Sequence, residues 1–371
     1  MSEAGLRPPP RTVVHVVGAR PNYMKIAPVM EALRGESRVR QVLVNTGQHY
    51  DDAMAGGFLK ELQLPAPDHN LGVGSATHAI QTAKVMMAFE EICLADRPDL
   101  VVVVGDVNST MAASLVAAKL VIPIAHVEAG LRSRDKHMPE EVNRIVTDRL
   151  ADLLLTPSRD AGENLRAEGT PEERIHFVGN VMIDTLKRHL PIATLERIRD
   201  RIAVGDGPYA VLTLHRPSNV DDPATLTGIL RAVGRIASRM PVIFPVHPRT
   251  RNRLREFGLE GGLEGVVLTE PLGYIDFLAL TSHARLILTD SGGLQEESTA
   301  LGISCLTLRE NTERPVTVTQ GTNRVVGTCT TAIIEGFDQI LGSTGPKSMP
   351  ELWDGHAGER IAAVIGRFLF E

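Results

Sequence analysis

The chain has 371 residues, which is too long for one ordinary hydrophobic core and suits two α/β domains. Its net charge of -6 provides no overall basic field, so a nucleic acid is not expected as its main partner. The three scattered cysteines, Cys93, Cys305 and Cys329, lack the spacing of a structural zinc site and are typical of a reducing compartment.

The apolar runs predict strands of a buried parallel sheet. Residues 1–11 are polar and proline-rich with no apolar leader, which predicts a flexible tail. Valine- and isoleucine-rich runs then alternate with amphipathic stretches, beginning at residues 12–17, and they lack the alternation of a one-sided sheet. No run reaches the roughly 18 uncharged apolar residues of a membrane span, so we expect a soluble, cytoplasmic protein that does not contact a membrane.

The strand pattern stops once and then resumes, which predicts two domains. Residues 12–190 form the predicted N-terminal Rossmann-like domain. Residues 180–206 are charged and strands resume at 210–214, so residues 191–355 form the second Rossmann-like domain. A last helix within residues 356–371 has apolar residues at helical spacing and is expected to pack across both domains. We therefore expect an α/β protein with two parallel sheets facing a cleft.

Polar residues follow several of the predicted strands. Ligands of open parallel sheets bind beyond the carboxyl ends of the strands, so these residues are candidates for a binding site. They are Arg20, Lys25, Gln48, His49, Asp106, His126 and Glu128 in the first domain, and His215, Arg216, His247, Glu313 and Arg314 in the second. Any single one also fits a structural role, such as a helix cap or a surface charge. As a set they favour one binding cleft.

A Ser-Gly-Gly turn lies within residues 287–298, between a predicted strand and a predicted helix. Its residues are Ser291, Gly292 and Gly293. Small residues allow backbone N–H groups at a helix N-terminus to approach an anion, and the helix dipole adds a favourable potential. The turn therefore predicts a phosphate site, although a glycine pair alone also fits an ordinary connection.

Motifs for common cofactors are missing from the sequence. Residues 18–21 do not match the dinucleotide pattern GxGxxG, and no acidic residue after the second strand matches the ribose-binding position. There is no GxxxxGK[ST] loop, and the histidines lack the HExxH spacing of a metal site. We expect neither a cofactor nor a catalytic metal.

Residues 139–144 predict a helix that begins with proline and two glutamates, where carboxylates oppose the helix dipole favourably. Helical spacing places Glu140 and Arg144 on one face, and the preceding loop is short enough to keep them near Glu128. With Asp106 this gives a group of three carboxylates. Such a group is suited to proton transfer.

Together these segments resemble the non-hydrolysing UDP-N-acetylglucosamine 2-epimerase family. The resemblance runs from about Thr12 to Gly327 and is carried by eight ordered segments, 18–22, 105–106, 126–132, 139–144, 214–216, 245–248, 289–297 and 312–315. It implies a glycosyltransferase-B-like fold and the interconversion of UDP-GlcNAc and UDP-ManNAc without a cofactor. It also implies UDP as a ligand and a homodimer.

The resemblance implies a mechanism and a set of site residues. The C2 proton of the sugar is removed while UDP leaves C1, and UDP then adds back to the 2-acetamidoglucal intermediate. Asp106, Glu128 and Glu140 resemble the family's acid/base carboxylates, and His215 resembles its catalytic histidine. The implied substrate-binding residues are Arg20, Lys25, Arg144, His247, Leu272, Phe277, Ser291, Gly292, Gly293, Glu297 and Arg314.

The chain departs from the family pattern at three places. Pro217 and Ser218 follow His215-Arg216 where many members carry Arg-Glu, and Val316 stands where a glutamate often follows Thr-Glu-Arg-Pro. Asp51 occupies the second glutamine position of the Gln-His-x-Gln segment that binds an activating UDP-GlcNAc. We therefore predict no activation by a second substrate molecule.

Several functions share this architecture and stay open from the sequence. They are a C2 epimerase of a modified UDP-2-acetamido sugar, a hydrolysing epimerase that releases ManNAc, and a UDP-sugar glycosyltransferase. A catalytically silent nucleotide-sugar-binding module is the alternative that is not an enzyme. The presence of all three carboxylates and His215 favours an enzyme.

Overall fold

A computed structural model describes residues 9–47, 59, 61–202, 205, 207–342 and 348–371. The chain forms two compact units. The first extends to Thr185 and includes residues Asp354–Glu371, and the second contains residues Leu186–Trp353. No helix in the described part of the chain has the length and hydropathy needed to cross a membrane.

The first unit contains a seven-stranded parallel sheet. Its strands are β1 (Arg11–Val17), β2 (Val39–Asn45), β3 (His69–Asn70), β4 (Leu100–Val104), β5 (Ile124–Val127), β6 (Leu153–Thr156) and β7 (Ile175–Phe177). They pair in the order β3-β2-β1-β4-β5-β6-β7. All residues of β4 are buried, as expected of a central strand with helices on both faces. This sheet confirms the predicted Rossmann-like architecture of the N-terminal part.

Helices connect these strands. Those in the described residues are α1 (Arg20–Leu33), α2 (His78–Asp96), α3 (Asn108–Lys119), α4 (Pro139–Leu150) and α5 (Arg159–Ala167), and α6 (Val181–His189) follows β7 and ends in the second unit. The core between sheet and helices includes Val14, Val103 and Phe89, all of them fully or almost fully buried. Helix α4 begins with proline and two acidic residues in its first turn, as the sequence predicts.

The second unit contains a six-stranded parallel sheet. Its strands are β8 (Ala210–Thr213), β9 (Val242–Pro245), β10 (Val266–Thr269), β11 (Leu286–Thr289), β12 (Ser304–Thr307) and β13 (Asn323–Val325), in the order β10-β9-β8-β11-β12-β13. Its helices are α7 (Glu196–Arg199), α8 (Pro217–Val220), α9 (Pro223–Ala237), α10 (Pro248–Glu256), α11 (Tyr274–Ser282), α12 (Gly292–Leu301), α13 (Val316–Thr319) and α14 (Thr330–Leu341). The second Rossmann-like sheet predicted from the sequence is thus confirmed.

The last helix, α15 (Ala357–Phe370), belongs to the first unit. The carboxylate of Asp184 accepts hydrogen bonds from the N–H groups of Ala357 at 3.1 Å and Gly358 at 2.7 Å. A Cβ atom on Gly358 would lie 2.6 Å from the carbonyl oxygen of Pro28, so glycine permits the close approach of α15 to α1. That α15 packs across both domains stays a prediction.

Candidate active site

The first unit carries one group of candidate residues, at the carboxyl ends of β4 and β5. Asp106 comes two residues after β4, and Glu128 directly follows β5. Gly105, which lies between β4 and Asp106, has φ +67°. A Cβ at this position would lie 3.2 Å from Lys25 Nζ and 3.4 Å from Glu128 Oε2. Glycine therefore allows the backbone of this turn to approach a buried ion pair.

Glu128 and Lys25 form that ion pair. Lys25 Nζ donates to Glu128 Oε2, and the two side chains are only 8% and 3% exposed. Glu128 also has φ +74°, a conformation that costs a non-glycine residue on the order of 1–3 kcal/mol. A buried charge pair and a strained backbone are both costly, and such features cluster where geometry serves function.

Asp106 is held by helix α4. Arg144 Nε donates to Asp106 Oδ2 at 3.0 Å, and Asn143 Nδ2 donates to the Asp106 carbonyl oxygen at 2.9 Å. The Arg144 side chain is 2% exposed, whereas that of Asp106 is 24% exposed. The arginine thus fixes a carboxylate that solvent reaches.

The two glutamates at the start of α4 have different surroundings. Glu140 is half-buried, and Glu141 is buried. The Glu141 carboxylate accepts from the N–H groups of Ser133 at 2.9 Å and Arg134 at 2.8 Å, and from Arg144. Glu141 therefore anchors the preceding loop. Of these two glutamates the sequence indicates Glu140 alone as a candidate, because nothing in the order of adjacent residues shows that Glu141 makes these contacts.

A buried network lies behind the carboxylates. His126 is 2.6 Å from Asp148 through Nδ1 and 2.8 Å from the Gly105 carbonyl oxygen through Nε2. Asp148 Oδ2 also accepts from Arg132 at 2.6 Å and from the N–H of Gly130 at 3.1 Å. Burial alone would raise the pKa of Asp148, but His126 and Arg132 hold this pKa below its usual value. The network ties together the ends of β4, β5 and α4.

The second unit carries another group of candidate residues, at the ends of β8 and β11. These strands are parallel neighbours with Thr213 opposite Thr289, so the residues that follow them meet. His215 Nδ1 lies 2.8 Å from Asp290 Oδ1. The His215 side chain is 42% exposed, whereas Asp290 is fully buried. His215 is predicted from the sequence as a candidate residue, whereas Asp290 is not.

Asp290 also binds backbone N–H groups. Its Oδ2 accepts from the N–H groups of His215 and Arg216, both at 2.9 Å. Burial would raise the pKa of Asp290, but His215 and these backbone donors hold this pKa below its usual value. Asp290 is therefore an ionised carboxylate at neutral pH.

The Ser-Gly-Gly turn lies next to Asp290. Ser291 is the N-cap of α12, and Gly292 is the first residue of that helix. A Cβ on Gly292 would lie 2.5 Å from Arg314 Nη1 and 2.6 Å from Glu313 Oε1, so this ion pair lies directly against the turn. Arg314 pairs with Glu296 at 2.9 Å and with Glu313. Since two carboxylates offset the guanidinium, the N–H groups at the start of α12 are the feature of this turn that favours an anion.

His247 caps helix α10 and lies beside His215. Its Nδ1 accepts from the N–H of Arg249 at 3.2 Å, and its ring centroid is 5.8 Å from that of His215. Burial, followed by the charge of His215, lowers the pKa of His247. Neutral His247 therefore carries its proton on Nε2.

The predicted site residues thus fall into one group per unit. The first unit holds Arg20, Lys25, Asp106, Glu128, Glu140 and Arg144, and the second holds His215, His247, Leu272, Phe277, Ser291, Gly292, Gly293, Glu297 and Arg314. Arg20 is exposed at the start of α1, and Leu272 and Phe277 are half-buried. Glu297 is buried and accepts from the Tyr274 hydroxyl at 3.2 Å. Gln48, His49 and Asp51 lie outside the described residues.

No group of three or more His, Cys, Asp or Glu side chains that could hold a metal ion occurs within the described ranges. The fold and the two residue groups define a protein of the glycosyltransferase-B-like class. A family model described as UDP-N-acetylglucosamine 2-epimerase matches residues 31–366. The chain therefore belongs to the UDP-N-acetylglucosamine 2-epimerase family, which confirms the resemblance seen in its motifs.

Relatives in this family cover almost the whole chain. The UDP-N-acetylglucosamine 2-epimerase of Methanocaldococcus jannaschii is 42% identical over 358 residues, covering 94% of this chain and 97% of the relative. The crystal structure of the M. jannaschii enzyme in complex with UDP-GlcNAc and UDP matches with a TM-score of 0.90 and 41% identity, over 96% of this chain and 99% of that chain. The UDP-2,3-diacetamido-2,3-dideoxy-D-glucuronate 2-epimerase of Pseudomonas aeruginosa is 39% identical over 358 residues, 96% of this chain and 99% of the relative.

Proposed function

We propose that the protein is a non-hydrolysing UDP-GlcNAc 2-epimerase, which interconverts UDP-GlcNAc and UDP-ManNAc without a cofactor. The observation that carries the proposal is that one chain holds both chemical groups that the reaction needs. Fixed carboxylates stand at the strand ends of the first unit, and a histidine beside an anion-binding turn stands at those of the second. The M. jannaschii relative bound to UDP-GlcNAc and UDP supports the same substrate.

The proposed reaction begins with removal of the C2 proton by a carboxylate. The C2–H electron pair forms the C1=C2 bond of 2-acetamidoglucal, and the C1–O pair leaves with the diphosphate of UDP. In the return step C2 is protonated on the opposite face while the UDP oxygen attacks C1. The reaction is balanced without any oxidant, and UDP is both product and reactant.

Asp106, Glu128 and Glu140 are the proposed acid and base groups. Arg144 and Lys25 fix the first two, so that neither has to reorganise during proton transfer. Since both cations are buried, we propose that their main contribution to substrate binding is to position these carboxylates.

His215 is proposed to stabilise the departing diphosphate. Ser291 and the N–H groups of Gly292 and Gly293 at the start of α12 are proposed to bind the same diphosphate, with Arg314 beside them. Arg20, His247, Leu272, Phe277 and Glu297 are proposed to bind the remainder of the nucleotide sugar.

Proton NMR of UDP-GlcNAc in deuterated buffer, with purified protein and no additive, tests this function. We expect UDP-ManNAc to appear with deuterium at C2. Free ManNAc with UDP would assign a hydrolysing epimerase instead. An unchanged spectrum would refute UDP-GlcNAc as the substrate.

The second candidate is an epimerase of a modified sugar. It is favoured by the P. aeruginosa relative, whose identity to this chain is 39% against 42% for the M. jannaschii enzyme. The same experiment with UDP-2,3-diacetamido-2,3-dideoxy-D-glucuronate decides between them. A higher kcat/KM for this sugar than for UDP-GlcNAc would favour the second candidate.

We also propose that the protein is a cytoplasmic homodimer. Helix α2 exposes Ile80, Met87 and Leu94, which are 51%, 71% and 60% exposed and spaced seven residues apart on one face. An apolar stripe of this kind favours burial against a second copy. Sedimentation equilibrium of the protein and of Met87→Glu tests the dimer, and a monomeric wild type would refute it. The exposed free Cys329 is consistent with a reducing compartment.

A further inference from the structure

The contacts of Asp290 define the protonation of His215. Oδ2 of Asp290 accepts hydrogen bonds from the backbone N–H groups of His215 and Arg216, both at 2.9 Å, and from Asn219 Nδ2 at 3.3 Å. Oδ1 is buried and lies 2.8 Å from His215 Nδ1 in an ion-pair contact, and among the described residues it makes no hydrogen bond. An ionised carboxylate can only accept, and two acceptors this close would repel each other, so Nδ1 must carry a hydrogen that it directs at Oδ1.

We infer that Asp290 is a positioning residue that holds His215 in the Nδ1–H form and thereby presents Nε2 to the substrate. The role assigned to Nε2 rests on the proposed function, whereas the hydrogen on Nδ1 rests on the contacts alone. When neutral, His215 offers a lone pair at Nε2. When protonated, it offers a charged N–H donor to the leaving diphosphate.

His247 has the opposite arrangement. Its Nδ1 accepts the N–H of Arg249, so its neutral ring carries the proton on Nε2. The two neighbouring rings therefore differ in function. The neutral His247 ring presents an N–H donor at Nε2, whereas the neutral His215 ring presents a lone pair at Nε2 and has an anion at Nδ1.

Asp290 also connects His215 to the Ser-Gly-Gly turn. Its carbonyl oxygen accepts from Arg216 Nε at 3.0 Å, and the next residue, Ser291, is the N-cap of α12. A single residue thus fixes the histidine and the start of the anion-binding helix relative to each other. This is the geometry needed when a proton donor and backbone N–H groups act on one diphosphate.

The substitution Asp290→Asn tests this role. The amide oxygen of asparagine can retain the backbone N–H groups of His215 and Arg216, while its NH₂ group faces Nδ1. Because Nδ1 must then accept, the proton moves to Nε2, and the ring loses the anion that stabilises its charged form, so it can offer the diphosphate only a neutral donor. We expect kcat to fall by on the order of 10²–10⁴-fold, by analogy with the Asp→Asn change in a Ser-His-Asp triad, with KM and UDP affinity nearly unchanged.

Nitrogen-15 NMR of histidine-labelled protein measures the tautomer of His215 directly. The His215 signals are assigned as those that disappear in the His215→Gln variant. We expect the Nδ1–H form in the wild type and the Nε2–H form in Asp290→Asn. The matched control is Asp222→Asn, which alters an exposed helix-capping carboxylate of the same unit and should change neither kcat nor the His215 signals.

Two results would overturn the inference. One is a wild-type His215 that carries its proton on Nε2 alone, which remains measurable even if Asp290→Asn does not fold. The other is a folded Asp290→Asn protein with wild-type kcat. A wild type without epimerase activity but with the Nδ1–H signature would refute the proposed function and leave the tautomer assignment intact.

Discussion

The two groups of candidate residues, one in each unit, differ in how their charges are held. In the first unit, Glu128 and Asp106 are each bound to a cation, Lys25 or Arg144, that is itself at least nine-tenths buried. In the second unit His215 is 42% exposed and has a buried anion behind it. Proton transfer at carbon requires a carboxylate in a fixed position, whereas a departing diphosphate requires donors that face outward. Each unit has the arrangement suited to one of these tasks.

Removing a carboxylate of the first unit should have the largest effect, because it should abolish proton transfer while leaving diphosphate binding intact. Asp106→Asn keeps the size of the side chain but removes the base, so we expect turnover to fall by on the order of 10³-fold or more. UDP affinity should stay near that of the wild type, because the proposed diphosphate site is in the second unit. Kinetics by NMR and calorimetric titration with UDP measure both. Asp96→Asn, remote in the same unit, is the control, and wild-type turnover of Asp106→Asn would remove Asp106 from the mechanism.

Breaking a buried pair should destabilise the first unit. Lys25→Met leaves Glu128 without its cation, and we expect the free energy of unfolding to fall by about 3–5 kcal/mol. The double change Lys25→Met/Glu128→Leu should recover part of this loss, since no charge then stays buried. Urea unfolding measures each. The control Arg166→Gln, which breaks a surface pair with Glu172, should have little effect. If Lys25→Met lowered the free energy of unfolding no more than Arg166→Gln does, the account of Lys25 and Glu128 as a buried ion pair would be contradicted.

Acid should destabilise the first unit through His15 on β1. This residue is fully buried, with Nε2 3.0 Å from Gln41 Oε1, and burial lowers the pKa of His15 to about 4. The unfolded chain takes up the proton near pH 6.5 and the folded chain does not, so stability is complete above pH 6.5 and is lost as the pH falls toward 4. The loss at pH 4 should be about 3 kcal/mol. Thermal unfolding of the wild type and of His15→Gln between pH 7 and 4 measures this loss of stability. If the stabilities of the two proteins fall in parallel as the pH is lowered, His15 is not its cause.

A methyl group in the Ser-Gly-Gly turn should affect the second unit alone. Gly292→Ala places a Cβ against Arg314, and we expect UDP affinity to fall about tenfold, roughly 1.4 kcal/mol. Gly366→Ala on α15, where a Cβ meets open space, is the matched control. Calorimetric titration with UDP compares them. Equal affinity of the two variants would show that the turn tolerates a side chain.

The sequence predicted the fold because its signals are local. The valines of β4 are consecutive, and Pro139 with two glutamates marks the start of α4 within a few residues. It also predicted Asp106, Glu128 and His215, because each follows a strand end.

The partners of these residues were not predictable in the same way. Asp290 lies 75 positions from the backbone N–H of His215 that it binds, and Asp148 lies 22 positions from His126. Such pairs form only when the order of the strands brings distant loops together, and one sequence does not encode that order locally. Glu141 was missed for a different reason, since only the path of the preceding loop distinguishes it from Glu140.

The measurement that tests the elimination mechanism most directly is positional isotope exchange. UDP-GlcNAc carrying ¹⁸O in the oxygen that joins C1 to the β-phosphate is incubated with the protein and followed by phosphorus NMR. If UDP leaves and adds back, the β-phosphate rotates and ¹⁸O appears in its non-bridging positions while UDP-ManNAc forms. Retention of all ¹⁸O in the bridge during epimerisation would contradict the cleavage of the C1–O bond. It would then also contradict the proposal that the first unit transfers the proton while the second stabilises the departing diphosphate.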